Sequence, residues 1–191
     1  MSAPTSSHAS DSPRIAPAEA PYPAAIQARF DALMPKGVAP LVLFRVLARD
    51  ERLFARFMGG GLLDKGHLTL RQREIVIDRV TAQCRSEYEW GVHIAFFAER
   101  AELDAAQLRS IVHGGPDDAC WSPQDAVLIR LCDALHAECD IGDALWADLR
   151  AAFSEAALLE LLLLAGFYRT VSHLANALRL PLEPYAARFP A

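Results

Sequence analysis

Glu89 and His93 stand four residues apart in Glu-Trp-Gly-Val-His, one turn of a helix. A carboxylate one turn from an imidazole can hydrogen-bond it, fix its tautomer and favour its protonated form, which suits a general acid or base. Ser86, Trp90, His93 and Phe97 share one stripe at helical spacing with Phe96 beside it, so aromatic walls would limit water access. Upstream, Leu70, Glu74, Ile77, Thr81 and Cys84 form a second stripe. Glu74 is thus an acid among mostly apolar neighbours, where desolvation raises a carboxyl pKa toward the range useful for proton transfer. Each residue also has a structural reading: Glu74 in a salt bridge with Arg71, Arg73 or Arg100, Glu89 as a helix cap, His93 as a hydrogen-bonded core histidine. Tyr88 is a candidate hydrogen-bond donor to substrate and Trp90 a candidate wall of the site. Arg79 and Arg100 are candidates for holding a substrate carboxylate.

The thiols offer less. Cys84, Cys120, Cys132 and Cys139 form no CxxC pair, have no spacing suited to zinc and are too sparse for a disulfide framework. Cys132, His136 and Cys139 fall on one helical face with no fourth ligand, so no metal is expected there. Cys84 is open to two readings, a single reactive thiol and a packed cysteine at a helix end. Tyr168 reads as a packed aromatic near the site, and Arg169, His173 and Asn176 as a polar stripe on the last helix.

These side chains need helices to position them, and the composition supplies helices. Of 191 residues, 34 are Ala and 26 are Leu, which argues against an extended β architecture. Residues 1–22 are rich in Pro, Ser, Thr and Ala and read as a flexible arm; residues 23–191 read as one all-α domain of eight or nine helices. Pro40 opens a helix over 41–49, and Asp50 starts another that runs to Gly59-Gly60-Gly61. Thr69 to Gln72 has the form of a capping box that starts a helix reaching residue 83 or 84. Ser86 to Glu89 has the same form, so a second helix is expected over 87–101. Asp104, Ser122 with Pro123, Asp140 or Gly142, and Ser154 start the rest, and Pro181 ends the last. The richest apolar run, 156–167, is short and broken by Glu160, so no membrane span is expected. The N-terminus lacks a basic start followed by an apolar block, which leaves the cytoplasm as the default location. A net charge of -5 at pH 7 argues against a nucleic-acid partner.

The stretch LTLRQREIVIDRVTAQCRSEYEWGVHIAFFAER, preceded by LFRVLARDERLFARFMGGGLLDKGHL and followed by GFYRTVSHLANALRLPLEP, resembles the carboxymuconolactone decarboxylase family, which includes the AhpD-like alkylhydroperoxidases. The resemblance is carried by RxRE at Arg71 to Glu74 and YEWxxH at Tyr88 to His93. It implies an all-α, AhpD-like helical fold whose subunits associate through helices as a homo-oligomer, a dimer, trimer or hexamer. Peroxidase members carry CxxCxxxH with a glutamate on the preceding helix. Glu74 matches that glutamate and His93 that histidine, while Ser86 and Glu89 stand where the two thiols would be. A serine cannot be oxidised and recycled as a thiol can.

The decarboxylase chemistry needs no thiol, metal or organic cofactor. It needs an acid to protonate the enolate-like centre left by carbon dioxide, for which His93 is the candidate, with Glu89 as its orienting partner and Glu74 as a second proton-handling group. The sequence therefore supports a decarboxylase-like enzyme acting on a small-molecule substrate. Two alternatives remain: hydroperoxide reduction through the single thiol of Cys84, and a non-catalytic helical scaffold or ligand binder that kept the fold.

Overall fold

The computed structural model describes residues 12–62 and 64–191, and among them are nine α-helices and no strand. They are α1 (Ala24–Leu33), α2 (Val42–Leu47), α3 (Glu51–Gly60), α4 (Leu70–Gln83), α5 (Glu87–Phe97), α6 (Ala105–His113), α7 (Pro123–Glu138), α8 (Asp143–Ala152) and α9 (Glu155–Ala177).

Helix starts follow local chemistry. The side chains of Asp50, Thr69, Asp104, Ser122 and Ser154 each accept a backbone N–H in the first turn that follows, and at Thr69 the reciprocal bond from Gln72 completes the capping box. α1 has no such side-chain cap and is held instead by a small aromatic cluster. There Phe30 packs edge-on against Tyr22 and Phe54, at 5.0 and 5.5 Å between ring centroids.

α4 lies at the centre, packed by α5, α6, α7 and α9. Every residue from Glu74 to Thr81 is buried, so the helix has no solvent face over two turns. Ile75, Val76 and Ile77 are fully buried and contribute about 1.5–3 kcal/mol apiece. Their burial must offset the desolvation of Glu74, Asp78 and Arg79 on the same helix. Arg79 is satisfied in full view of its surroundings: it bridges to Asp133 on α7 at 2.8 and 3.1 Å. It also donates to the carbonyls of Ser110, Ile111 and Gly114 at the end of α6, where a cation meets the negative end of the helix. Arg79 is therefore a structural clamp, which corrects its candidacy as a substrate ligand.

Three further expectations are corrected. Residues 12–22 of the expected flexible arm lie hydrogen-bonded along the body, with Arg14 N–H donating to the Leu178 carbonyl and Ala18 N–H to that of Arg45; residues 1–11 lie outside the described residues. α5 stops at Phe97, short of residue 101. α9 is long and apolar enough to cross a membrane, at 23 residues and a mean hydropathy of 1.3. It serves as a core helix, burying Leu158, Leu161 and Leu164 while its Glu160 carboxylate accepts the His67 N–H at 2.6 Å. Its outer face leaves Leu159 and Leu163 exposed.

Candidate active site

The turn between α4 and α5 sets the register of the site. The Ser86 N–H donates to the Thr81 carbonyl and the Arg85 N–H to that of Ala82, the paired bonds of a Schellman turn. This places Arg85 in the left-handed region at φ 53°, where glycine is the usual residue. With so short a link, α5 folds straight back along α4 and His93 arrives beside Glu74.

The Schellman bond also changes what Glu89 does. A capping box would spend its carboxylate on the Ser86 N–H, but that N–H is already bonded to Thr81, and the Ser86 side chain makes no cap bond. Glu89 instead turns to the imidazole one turn on, with Oε1 3.4 Å from His93 Nε2. On the other side of the ring His93 Nδ1–H donates to Glu74 Oε2 at 2.7 Å. Glu74, 0% exposed, has the shorter contact and is the orienting partner, the role expected of Glu89. Arg73 Nε stands 3.8 Å from the other oxygen of Glu74, so the salt bridge and the histidine contact coexist.

Burial alone would push His93 toward its neutral form, but the charge and hydrogen bond of Glu74, then those of Glu89, outweigh it. The imidazole pKa is raised from 6.5 to about 10. Phe97 and Tyr168 wall the ring at 5.4 and 5.0 Å between centroids, Tyr168 edge-on. Burial, reinforced by Glu89 and Glu74, holds the Tyr168 phenol well above its ordinary pKa, so it stays a neutral O–H donor.

Asp78 is a buried carboxyl that the sequence reading missed. It lies one turn from Glu74, is 1% exposed, and neither of its oxygens has a hydrogen-bond partner among the described residues. Burial above all, then the charges of Glu74 and Glu89, hold its pKa well above the ordinary value, against the pull of His93. The signal was present in the four-residue spacing of Glu74 and Asp78, the same spacing that picked out Glu89 and His93.

Glu89, His93 and Tyr168 line a cavity of about 240 Å³ whose remaining wall is mostly aromatic and aliphatic, including Phe44, Phe57, Phe96 and Phe167. Leu33 to Pro35, at the end of α1, and the exposed Arg100 also line it. Tyr88 and Trp90 are not among the lining residues. The Tyr88 hydroxyl donates to Glu183 Oε1 at 2.6 Å and accepts the Leu43 N–H at 3.1 Å, pinning the C-terminal segment. Trp90 packs on Phe189 at 5.1 Å. Both flank Glu89 in sequence, so the helix turns them about 100° to either side of it. Cys84 lines a different hollow, near Cys132 and Cys139. Among the described residues no group of three or more His, Cys, Asp or Glu side chains is arranged to hold a metal ion.

No protein-family model matches the sequence, and no curated protein does. Solved structures do match. An uncharacterized peroxidase-related protein from Silicibacter sp. superposes with a TM-score of 0.79 at 16% identity, over 98% of this chain and 100% of its own. A second, from Ralstonia eutropha and described as an alkylhydroperoxidase AhpD core and uncharacterized peroxidase-related protein, gives 0.79 at 17% identity over 90% and 93% of the two chains. At such identities it is the path of the backbone that is shared, and the chain has the AhpD-like fold.

Proposed function

We propose that the chain is a cofactor-independent small-molecule enzyme that works by proton transfer, a lyase of the carboxymuconolactone decarboxylase kind, with Glu74, His93 and Glu89 as its acid–base chain. One observation carries this reading: the chain runs from a fully buried carboxylate, through an imidazole, to a second carboxylate on the wall of an apolar cavity. In the reaction, the bond between a substrate carbon and its carboxylate breaks and carbon dioxide leaves. The electron pair stays on an enolate-like centre. The His93 imidazolium gives that carbon its proton and becomes neutral, and solvent restores the proton. An acid with a pKa of about 10 keeps its proton against water at neutral pH and yields it to a strongly basic carbon. Tyr168 stands beside the ring as a second neutral donor.

Thiol-based peroxide reduction is less well supported, because Cys84 lines the other hollow. A pure scaffold has no need to place Glu89 and His93 on a cavity wall. The test is carbon dioxide release from a panel of small unsaturated carboxylic acids and carboxylated lactones. Glu89→Gln and His93→Asn are expected to lower kcat by about a hundred- to ten-thousand-fold, the usual worth of a positioned proton donor or acceptor. No release by the wild-type protein, or equal release by both variants, overturns the reading.

A further inference from the structure

The outer face of α9 carries Leu159 and Leu163 at 64% and 65% exposure, the most exposed of the large apolar side chains among the described residues. The other leucines of this helix are buried or half-buried. With the exposed Ala156, Gly166, Thr170 and His173 the two recur at steps of three and four residues, the 3.5-residue period of a seam between two helices. Thr170 donates its hydroxyl back to the Gly166 carbonyl at 3.2 Å, so this polar group comes to the seam already bonded. Gly166 stands in the middle of α9, where glycine is destabilising relative to alanine. Nothing in the chain requires it there, since a Cβ would meet no atom within 4 Å. At Gly91, by contrast, a Cβ would stand 2.3 Å from the Ala187 carbonyl oxygen, and the chain itself accounts for that glycine. Gly166 leaves a notch on the outer face, one turn beyond Leu163.

The sizes along the seam decide what fits it. Leu159 and Leu163 lie in its N-terminal half and the smaller Gly166 and Thr170 in its C-terminal half, while Ala156 and His173 reverse this order at the ends. A second α9 running parallel would set leucine against leucine and leave a gap where glycine meets glycine. Running antiparallel, about a two-fold axis between residues 164 and 165, it sets Leu163 against Gly166, Leu159 against Thr170 and Ala156 against His173, so each large side chain meets a small one. Charge points the same way. The exposed Glu155 opens the helix and Arg169 lies toward its end, so antiparallel copies bring opposite signs and opposed helix dipoles together. We infer that the protein is a two-fold symmetric homodimer paired through antiparallel α9 helices, with Leu163 of each copy seated over the partner's Gly166. Resemblance to a family of helical oligomers names neither the helix nor the direction of pairing; both follow from these side chains. The inference is independent of the proposed reaction, because the cavity takes Phe167 and Tyr168 from the inner side of the same helix.

The experiment is sedimentation equilibrium of the full chain across micromolar concentrations, where a mass twice that of the chain is expected. Leu163→Glu and Gly166→Leu should each weaken the dimer by about thirtyfold or more, the worth of a central anchor. Leu53→Glu, at an exposed leucine of α3, should leave it unchanged. Both seam variants keep the fold of the single chain, because Leu163 is exposed and a side chain at 166 starts into open space; far-UV circular dichroism checks this. Cross-linking reads the direction. Residues 159 and 170 are about 16 Å apart along one helix. Under oxidation Leu159→Cys alone and Thr170→Cys alone should give no covalent dimer beyond that of the wild-type protein, whose Cys139 is exposed, whereas their mixture should. A monomer at every concentration, free or bound to lipid vesicles, overturns the inference. So does a dimer that survives both seam variants, or cross-linking by the single cysteine variants and not by their mixture.

Discussion

The cavity beside His93 and the hollow at the far end of α4 share one helix, α9, and hold different chemistry. The first, about 240 Å³, has two members of the acid–base chain on its wall and no cysteine. The second, about 180 Å³, is lined by Cys84, Cys132, Cys139, His136 and Arg169 and has no carboxylate. A thiol peroxidase needs both sets together, because the thiolate attacks and the acid–base groups move the protons. Here α4 separates them: Glu74 stands near its start, and Val80, Gln83 and Cys84 line the second hollow at its end. The thiols are also poorly placed for chemistry among themselves. Burial, and secondarily the charge of Asp133, holds the Cys132 thiol far above its ordinary pKa, and its Sγ–H points to the Val76 carbonyl at 3.9 Å. Such a thiol is an inert core group.

The sharpest way to break this contrast is to remove His93. Its imidazolium lies between two carboxylates that are themselves buried, so His93→Leu leaves Glu89 without its cation and Glu74 with only Arg73 at 3.8 Å, and is expected to cost about 3–5 kcal/mol of stability. The sign with pH follows from the raised pKa. The folded protein holds this proton more tightly than the unfolded chain, so the contribution is complete below 6.5 and is lost as pH rises through about 10. Urea unfolding between pH 6 and 10.5 should therefore show the wild-type advantage over His93→Leu shrinking at the alkaline end. A constant difference would mean that His93 is neutral in the folded protein.

A smaller effect of opposite sign is expected one turn away. Asp78 has a raised pKa, so the folded protein carries no penalty for it below the ordinary value of 3.8, and the penalty grows as pH rises from there toward the folded pKa. Asp78→Asn removes this ionisation penalty and should be stabilising at neutral pH, where the unfolded chain's Asp78 is ionised and the folded protein resists the charge. It should be close to neutral near pH 3.5. Melting temperatures of the two proteins across that interval check the prediction, and a variant less stable than wild type at pH 7 would show that Asp78 has a partner after all.

Local signals explain why so much of this was legible and where it stopped. Thr69, Asp104, Ser122 and Ser154 cap helices through bonds that span three residues, so their types and positions alone specify them. The Glu89 and His93 pair is local in the same way. Ser86 to Glu89 carries the same capping pattern and fails to form a box, because the preceding helix takes the Ser86 N–H first; two overlapping motifs compete for one donor. The contact of Glu74 with His93 spans 19 residues and depends on the Arg85 turn, so periodicity could only place each on its own stripe. Asp78 was passed over because a stripe presupposes a solvated back to the helix, and α4 has none. That Arg100 and Leu33 to Pro35 line the cavity is a tertiary fact with no local signature.

The smallest expected effect bears most directly on the contrast between the two hollows. If acid–base chemistry is confined to the cavity, Cys84→Ser changes nothing in it, since Cys84 is half-buried and its backbone carbonyl, which accepts the Asn176 side-chain N–H at 2.8 Å, survives the substitution. Stability should shift by no more than about 0.5 kcal/mol, as for a change away from the named mechanisms of large loss. Hydroperoxide consumption with a thiol reductant should be at the uncatalysed rate in both proteins. A measurable wild-type rate that vanishes in Cys84→Ser would join the two hollows functionally. The three residues between Val80 and Cys84 would then have to carry a proton path from the Glu74 end of the helix, through a segment whose Thr81 hydroxyl is already bonded back to the Ile77 and Asp78 carbonyls.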